Sequence, residues 1–490
     1  MRIRFPVATI ATALLVSACL DRLGDPDSRR PARSLVIAEE NLRSPSREWD
    51  AGFYTRDDSS ISGYGLPFSL RAGDTLHLFV TATLPPVSIS IYRLGWYGAG
   101  GARLVARHAD LLAGNQPACS PPSPGPSVCD WSETDRFIVD ARWLPGVYVA
   151  RFADSLGRPA AFPFVVRSDA PAAFVVVLPF ATYQAYNAWG GTSLYGGPGA
   201  TRQESYANRA VKVSFARPFA DAIMRGPVLG TDYLLVRWLE ENAYDVSYIS
   251  DYDFHLGRGA DPAIAWLFAG HSEYWTWRMW LRANDARARG INLGFLGGND
   301  IYWVTRFETV PASGLDAPVV VVYRDAARDP EGGTPGRATV RFRSPPNNTP
   351  ENALVGVMSP PASLVRNPPV DLVVANGSDP LMAGTGLTTG AHIARVAGWE
   401  GDRIIDNGQT PAGIRVLFAS PYVPLEDTLA SGLLHATVYT WPGSGALVYA
   451  SGQPGFAWGL STYGQRVARP SLQQFLQNVL QAFIAARDRR

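Results

Sequence analysis

Cysteine and lysine are nearly missing from this chain. Three cysteines in 490 residues exclude a disulfide-rich scaffold, which spends a far larger share of its length on cysteine. None of the three lies beyond Cys129, so the longer, C-terminal part of the chain has no thiol nucleophile. Lys212 is the only lysine among 44 basic residues, an arginine bias that the codon usage of a GC-rich genome explains better than an arginine-based function. The net charge of +1 leaves no bulk positive field for nucleic acid or a membrane surface. Internal repeats are absent. The one apolar run near the N-terminus, Val7 to Val16, is too short to span a bilayer as a mature helix. Behind a basic start at Arg2 and Arg4 it reads as a secretory signal.

That signal ends in Val16-Ser17-Ala18-Cys19, which resembles a bacterial lipobox, with Cys19 becoming the lipidated N-terminus after cleavage. Residues 1–19 are therefore expected to be a lipoprotein signal. Residues 20–34, polar with Pro, Gly and several Arg, are expected to be a tether. The expected location is the bacterial cell envelope, lipid-anchored; Leu20 after the cysteine favours the outer membrane. In an exported chain the remaining pair, Cys119 and Cys129, flanking a Pro/Ser loop, is most simply a disulfide.

Residues 35–168 carry short apolar runs (76–83, 87–93, 146–152, 161–166) separated by turn signals, the spacing of a β-sandwich. After Pro171 the rhythm changes. Runs at 174–180, 245–250, 264–269 and 291–296 alternate with helical patterns. Thr231 would cap a helix over 232–243; a second helix runs from Trp275 to Arg289 and stops at Gly290. Alternating strand and helix means a doubly wound parallel α/β sheet over 172–490. Residues 327–390 read as short strands and long loops, 445–451 as a late strand, and 471–487 as a closing helix burying Leu472, Phe475, Leu476, Val479, Leu480 and Phe483.

In an open parallel sheet, ligands bind beyond the carboxyl ends of the strands. Four strand ends here carry functional side chains: Tyr183, Tyr186 and Tyr195 after the first; Asp251, Asp253 and His255 after the second; His271, Ser272 and Glu273 after the third; Asn299, Asp300 and Tyr302 after the fourth. Three chemistries fit a shared crevice. A serine hydrolase would use Ser272 on a nucleophile elbow, but Tyr274 stands where the elbow needs glycine and no Asp-then-His order follows. A thiol amidotransferase is excluded for want of cysteine. A metal site of phenolates and one carboxylate would suit trivalent iron, a hard cation that acidifies water and polarises carbonyls. Each residue also has a structural role open to it. Tyr183 and Tyr186 suit a core, Glu273 a helix start, His271 a packed turn, and Trp275, Trp277 and Trp280 ordinary packing.

Several segments resemble the large (beta) subunit of N,N-dimethylformamidase and its relatives: 91–104 (IYRLGWYGAGGARL), 182–195 (TYQAYNAWGGTSLY), 213–218 (VSFARP), 237–253 (RWLEENAYDVSYISDYD), 270–275 (GHSEYW), 290–306 (GINLGFLGGNDIYWVTR) and 445–460. The resemblance implies a β-sandwich joined to an amidotransferase-like (flavodoxin-like) α/β domain. It also implies a mononuclear Fe3+ centre held by two tyrosines and a glutamate, with a histidine nearby. Carried over, Glu273 is the carboxylate ligand, Tyr195 one phenolate, Tyr186 the other with Tyr183 as its rival, and His271 the nearby histidine. Catalysis falls to His271 and Glu273, and Asn299 is placed beside a small amide substrate. The tyrosine segments lie closer together than in that enzyme, and the chain carries an export signal. The favoured expectation is an exported, lipid-anchored, iron-dependent amidase that binds no nucleic acid and meets the membrane through its anchor alone; a homo-oligomer or a small partner subunit is compatible with it. The alternative is a non-catalytic surface lipoprotein whose sandwich binds polysaccharide.

Overall fold

Phe174–Leu178 (FVVVL) and Ala265–Gly270 (AWLFAG) have no charged side chain and are buried throughout, the pattern of strands covered on both faces. In the computed structural model, which describes residues 32–489 apart from Arg47, 51–59, 122–124, 198–208, Ala260, Asn367, Glu426, Thr428 and Ala430, they sit side by side as interior strands, second and third, of a seven-stranded sheet. The signal segment with Cys19, and the tether before Ala32, lie outside the described residues. Among the described residues no helix is long and apolar enough to cross a membrane.

Five strands of this sheet are parallel. Taken in chain order they are Phe174–Leu178, Val246–Ser250, Ala265–Gly270, Asn292–Gly297 and Leu447–Ala450. Across the sheet they lie second, first, third, fourth, fifth. Gly432–Thr440 and Arg415–Tyr422 extend it as antiparallel strands. Because side chains alternate along a strand, the two faces separate cleanly. Val175, Val177, Trp266, Phe268, Leu293 and Phe295 join Met279, Ala283 and Ala286 of the Trp277–Arg289 helix. Val176, Leu178, Leu267 and Ala269 fall in the cluster that holds Leu234, Leu235 and Trp238, and the buried side of the Pro470–Asp488 helix. All six residues expected on that last face are buried.

The Trp277–Arg289 helix begins where Thr276 Oγ1 accepts from Met279 N (3.2 Å) and stops at Gly290. The other expected start is corrected. Thr231 does not cap a helix; it lies inside a π-helical segment, Met224–Asp232, that runs straight into the Tyr233–Glu241 helix. Pro227 has no N–H to give to the tighter turn, and wide turns of this kind collect at functional sites.

Upstream, Ile61–Leu66, Thr75–Ala82 and Asp135–Ile138 form one antiparallel sheet. Ser69–Leu70, Pro159–Val166, Gly146–Ala153, Val87–Leu94 and Ala102–Leu111 form a second, five-stranded sheet. Downstream there are two sheets beyond the expected one: Lys212–Ser214, Leu315–Val321, Trp303–Ala312 and Tyr274–Thr276, and the pair Val370–Val373 with His392–Ala397. The whole is a mixed α/β architecture of several sheets and few helices. Cys119 and Cys129 are disulfide-bonded. Arg93 and Glu240, both fully buried, pair through two hydrogen bonds of 2.8 and 2.7 Å and join the five-stranded sheet to the Tyr233–Glu241 helix. The end of the expected tether is pinned: Ser34 N donates to Ala243 O (2.8 Å) and Asp245 N to Ala32 O (2.9 Å).

Candidate functional site

The first and third parallel strands are neighbours whose connections leave in opposite directions, and a crevice opens at such a point. Beyond the first, the helix Phe180–Tyr186 carries Tyr183 and Tyr186. A turn then brings back Tyr195: Leu194 N donates to Ala185 O (3.0 Å) and Tyr195 N to Ser193 Oγ (3.0 Å). The Tyr195 ring stacks on Tyr186 with centroids 4.3 Å apart. The third strand ends at Gly270 (φ +53°), and His271, Ser272 and Glu273 follow, each about 2 % exposed. Glu273 N is held by Thr182 Oγ1 (3.2 Å). His271 Nδ1 lies 2.8 Å from Gly298 O; a carbonyl only accepts, so Nδ1 carries the proton and Nε2 faces inward.

These side chains converge. Tyr195 OH donates to Glu273 Oε1 (2.5 Å) and Tyr186 OH to Glu273 Oε2 (3.0 Å). His271 Nε2 lies 3.2 Å from the Tyr186 hydroxyl, 3.2 Å from Glu273 Oε2 and 3.5 Å from Glu400 Oε1. Burial pulls the His271 pKa down, but the Glu400 and Glu273 carboxylates outweigh it and push it up to about 10, so the ring is charged at neutral pH. Burial opposes ionisation of Glu273, and its bond to His271 with the charges of His271 and Arg324 prevails, so it stays ionised. Burial, and then the Glu273 charge, hold both phenols well above the usual tyrosine range. The Arg324 guanidinium sits 4.1 Å over the Tyr195 ring and donates to Tyr274 OH.

The other sequence-derived candidates fall elsewhere. Tyr183 turns away from the cluster and donates to Asp232 Oδ2. Burial pushes Asp232 up to about 7, and its Oδ1 has no hydrogen-bond partner. Ser272 Oγ accepts from the Trp275 indole (2.9 Å) and has no contact with His271 Nε2, which removes the nucleophile-elbow reading. The second strand end is structural. Asp253 and Ser250 cap each other, Asp251 accepts from Ala181 N (2.8 Å), and His255 bonds Thr276 (2.8 Å). So the expected convergence of four strand ends reduces to three, with the fourth supplying the Gly298 carbonyl. Asn299 N donates to Asp402 (2.8 Å), its own Oδ1 is buried without a partner, and its φ is +51°.

Sequence reasoning missed Glu400, Trp399, Arg324 and Asp402. Trp399 stacks on His271 with centroids 5.6 Å apart. All four come from irregular chain. A structural signal marks two of them: Arg324 and Trp399, like the sequence candidate Asn299, hold left-handed backbone (φ +61°, +76° and +51°), which costs a non-glycine residue on the order of 1–3 kcal/mol and collects at functional sites. A cavity of about 250 Å³ borders the cluster at Tyr186 and His271. Larger clefts, of about 620 Å³ at Arg71 and Asp169 and about 300 Å³ at Trp277, contain none of the cluster residues. Among the described residues no group of three or more His, Cys, Asp or Glu side chains is placed to hold a metal ion.

A site of this kind, aromatic hydroxyls closing on a carboxylate beyond the ends of parallel strands, sits in a chain that matches a known family over residues 88–469. That family is described as N,N-dimethylformamidase beta subunit-like, C-terminal. The chain belongs to the N,N-dimethylformamidase beta subunit-like family. The match begins at the Val87–Leu94 strand and contains every residue of the cluster. Comparison with curated proteins gave no match.

Proposed function

We propose that this protein is an iron-dependent hydrolase of carbon–nitrogen bonds in amides, exported and lipid-anchored through Cys19, and facing its substrate at the bacterial outer membrane. In this reading residues 35–168 are a β-sandwich unit and 172–490 the catalytic unit. The strand order second, first, third, fourth, fifth supports a flavodoxin-like, amidotransferase-type sheet for the latter. The observation that carries the reading is the closure of Tyr186 and Tyr195 on Glu273.

The donor set fits a trivalent cation. It consists of hard oxygens, which suit Fe3+. The two phenols are buried and kept protonated by their surroundings, and a bound cation is what would favour their ionised form. Tyr186, Tyr195 and Glu273 would hold the metal, with Tyr183 committed to Asp232. Bound there, ferric iron would supply Lewis-acid polarisation and an acidified water. The protein's own residues handle the protons. In hydrolysis a water oxygen joins the carbonyl carbon, the C–N bond breaks, and the leaving nitrogen takes a proton. His271 Nε2 is the donor for that nitrogen, oriented by the Nδ1 bond to Gly298 O and kept charged by Glu400. Arg324, over the Tyr195 ring and donating to Tyr274 OH, would balance negative charge on an ionised Tyr195. Trp399 covers the imidazole and limits its access to water.

Release of amine from N,N-dimethylformamide and simpler formamides by the iron-loaded protein tests this reading. His271→Ala is expected to keep its iron and lose about 10²–10⁴-fold in kcat, the range for a general acid. A variant as active as the wild type contradicts the role of His271. A wild type that releases no amine and binds no iron leaves a polysaccharide-binding scaffold in its place.

A further inference from the structure

Resting on the amidase reading, we propose that the substrate is a neutral amide with a bulky apolar substituent, seated in the cavity beside the cluster. The cavity holds about 250 Å³. A water occupies about 30 Å³ of liquid, so the space equals on the order of eight waters, and formamide or its N-methyl derivatives would leave most of it wet. Its lining includes Tyr186 and His271 of the cluster. Thr182 Oγ1 is engaged by Glu273 N and the Tyr183 hydroxyl by Asp232. The rest of the lining is Ile223, Gly226 and Pro227 from the π-helical turn and its approach, with Pro179, Trp399 and exposed Ala222. Among the described residues no carboxylate lines the space. A cationic substituent would lose its hydration there and gain no partner, whereas an apolar one gains burial.

Gly226 shows that the room is real. Its backbone is not left-handed, and a Cβ built on it meets no atom within 4 Å. Because Gly226 also lines the chamber, a side chain there is added at its wall without a Cβ clash or backbone strain. Gly226→Phe is therefore a plug, and Gly226→Leu a smaller one should the first variant not fold.

The test uses the full iron-loaded chain and a series of N-methyl-, N-butyl- and N-benzylformamide, with N-(2-aminoethyl)formamide as the charged member. The expected result is a kcat/KM that rises about fourfold per added methylene until the chamber fills, with poor turnover of the charged member. Gly226→Phe is expected to lower the benzyl-to-methyl ratio at least tenfold. A flat or falling series, or an unchanged ratio in the plugged variants, overturns the proposal. If no amide is turned over, the amidase reading fails, and the chamber is tested by binding alone. N-benzylformamide then raises the Tm of wild type and not of Gly226→Phe if the proposal holds; equal shifts, or none, overturn it.

Discussion

Gly270 sets how closely the strand end can approach the carboxylate beneath it. A Cβ at this position would stand 1.9 Å from Asp232 Oδ1, and φ is +53°. Gly270→Ala is expected to cost at least about 2–3 kcal/mol, combining the left-handed penalty with overpacking. Made in an Asp232→Ala background, the same change should cost only about 1–2 kcal/mol relative to that background, because the steric part is gone. Denaturant unfolding of these variants checks this, and a Gly270→Ala protein as stable as wild type refutes the packing. At this scale the sequence carried His271 and Glu273 plainly, because they follow a strand directly. It could not separate Tyr183 from Tyr186. Three residues apart on one short helix, they differ only in which neighbour each hydroxyl meets, Asp232 or Glu273. Both neighbours come from distant chain.

Elements with both faces buried were legible, since a parallel strand is a continuous apolar run. Phe174–Leu178, Ala265–Gly270 and Asn292–Gly297 each fall within a residue or two of their expected bounds. The π-helical turn was not legible, because Gly226, Pro227 and Gly230 read as a loop. Nor was the stretch from Arg324 to Asp402, which has no periodicity and is held by long-range polar contacts. Asp329 is its clearest pin, accepting from Arg306 at 2.9 and 2.9 Å and from Thr339 N and Oγ1 at 2.8 and 2.6 Å. Burial opposes its charge, but these donors hold its pKa down at about 2. The folded value lies below the unfolded one, so the stabilisation is complete above about pH 4 and is lost as pH falls toward 2. After allowance for solvent screening it is worth about 1 kcal/mol. Asp329→Asn should flatten the acid limb of the stability profile by that amount between pH 4 and 2. An unchanged limb in thermal melts contradicts it.

Across the whole molecule, the junction between the upstream sheets and the seven-stranded sheet depends on a buried ion pair. Burial works against the Arg93 charge, and Glu240 more than offsets it, holding the guanidinium well above its ordinary pKa. Both residues lie in segments on which the family resemblance rests. Glu240→Leu leaves Arg93 buried and unpaired and is expected to cost about 3–5 kcal/mol, while Arg93→Met with Glu240→Leu should cost much less. Chemical denaturation of the three proteins decides this, and a double variant as weak as the single one contradicts it. That junction joins the upstream sheets to the sheet beyond whose strand ends Tyr186 and Tyr195 close on Glu273. The most direct test of that closure is the visible spectrum and iron content of the purified protein after exposure to ferrous iron in air. Phenolate bound to ferric iron gives a charge-transfer colour. The account predicts a tinted protein with about one iron per chain, as one mononuclear site allows. It further predicts a weakened, shifted band in Tyr195→Phe, no colour and little iron in Glu273→Ala, and an unaltered band in Tyr183→Phe. A wild type that stays colourless and iron-free contradicts it.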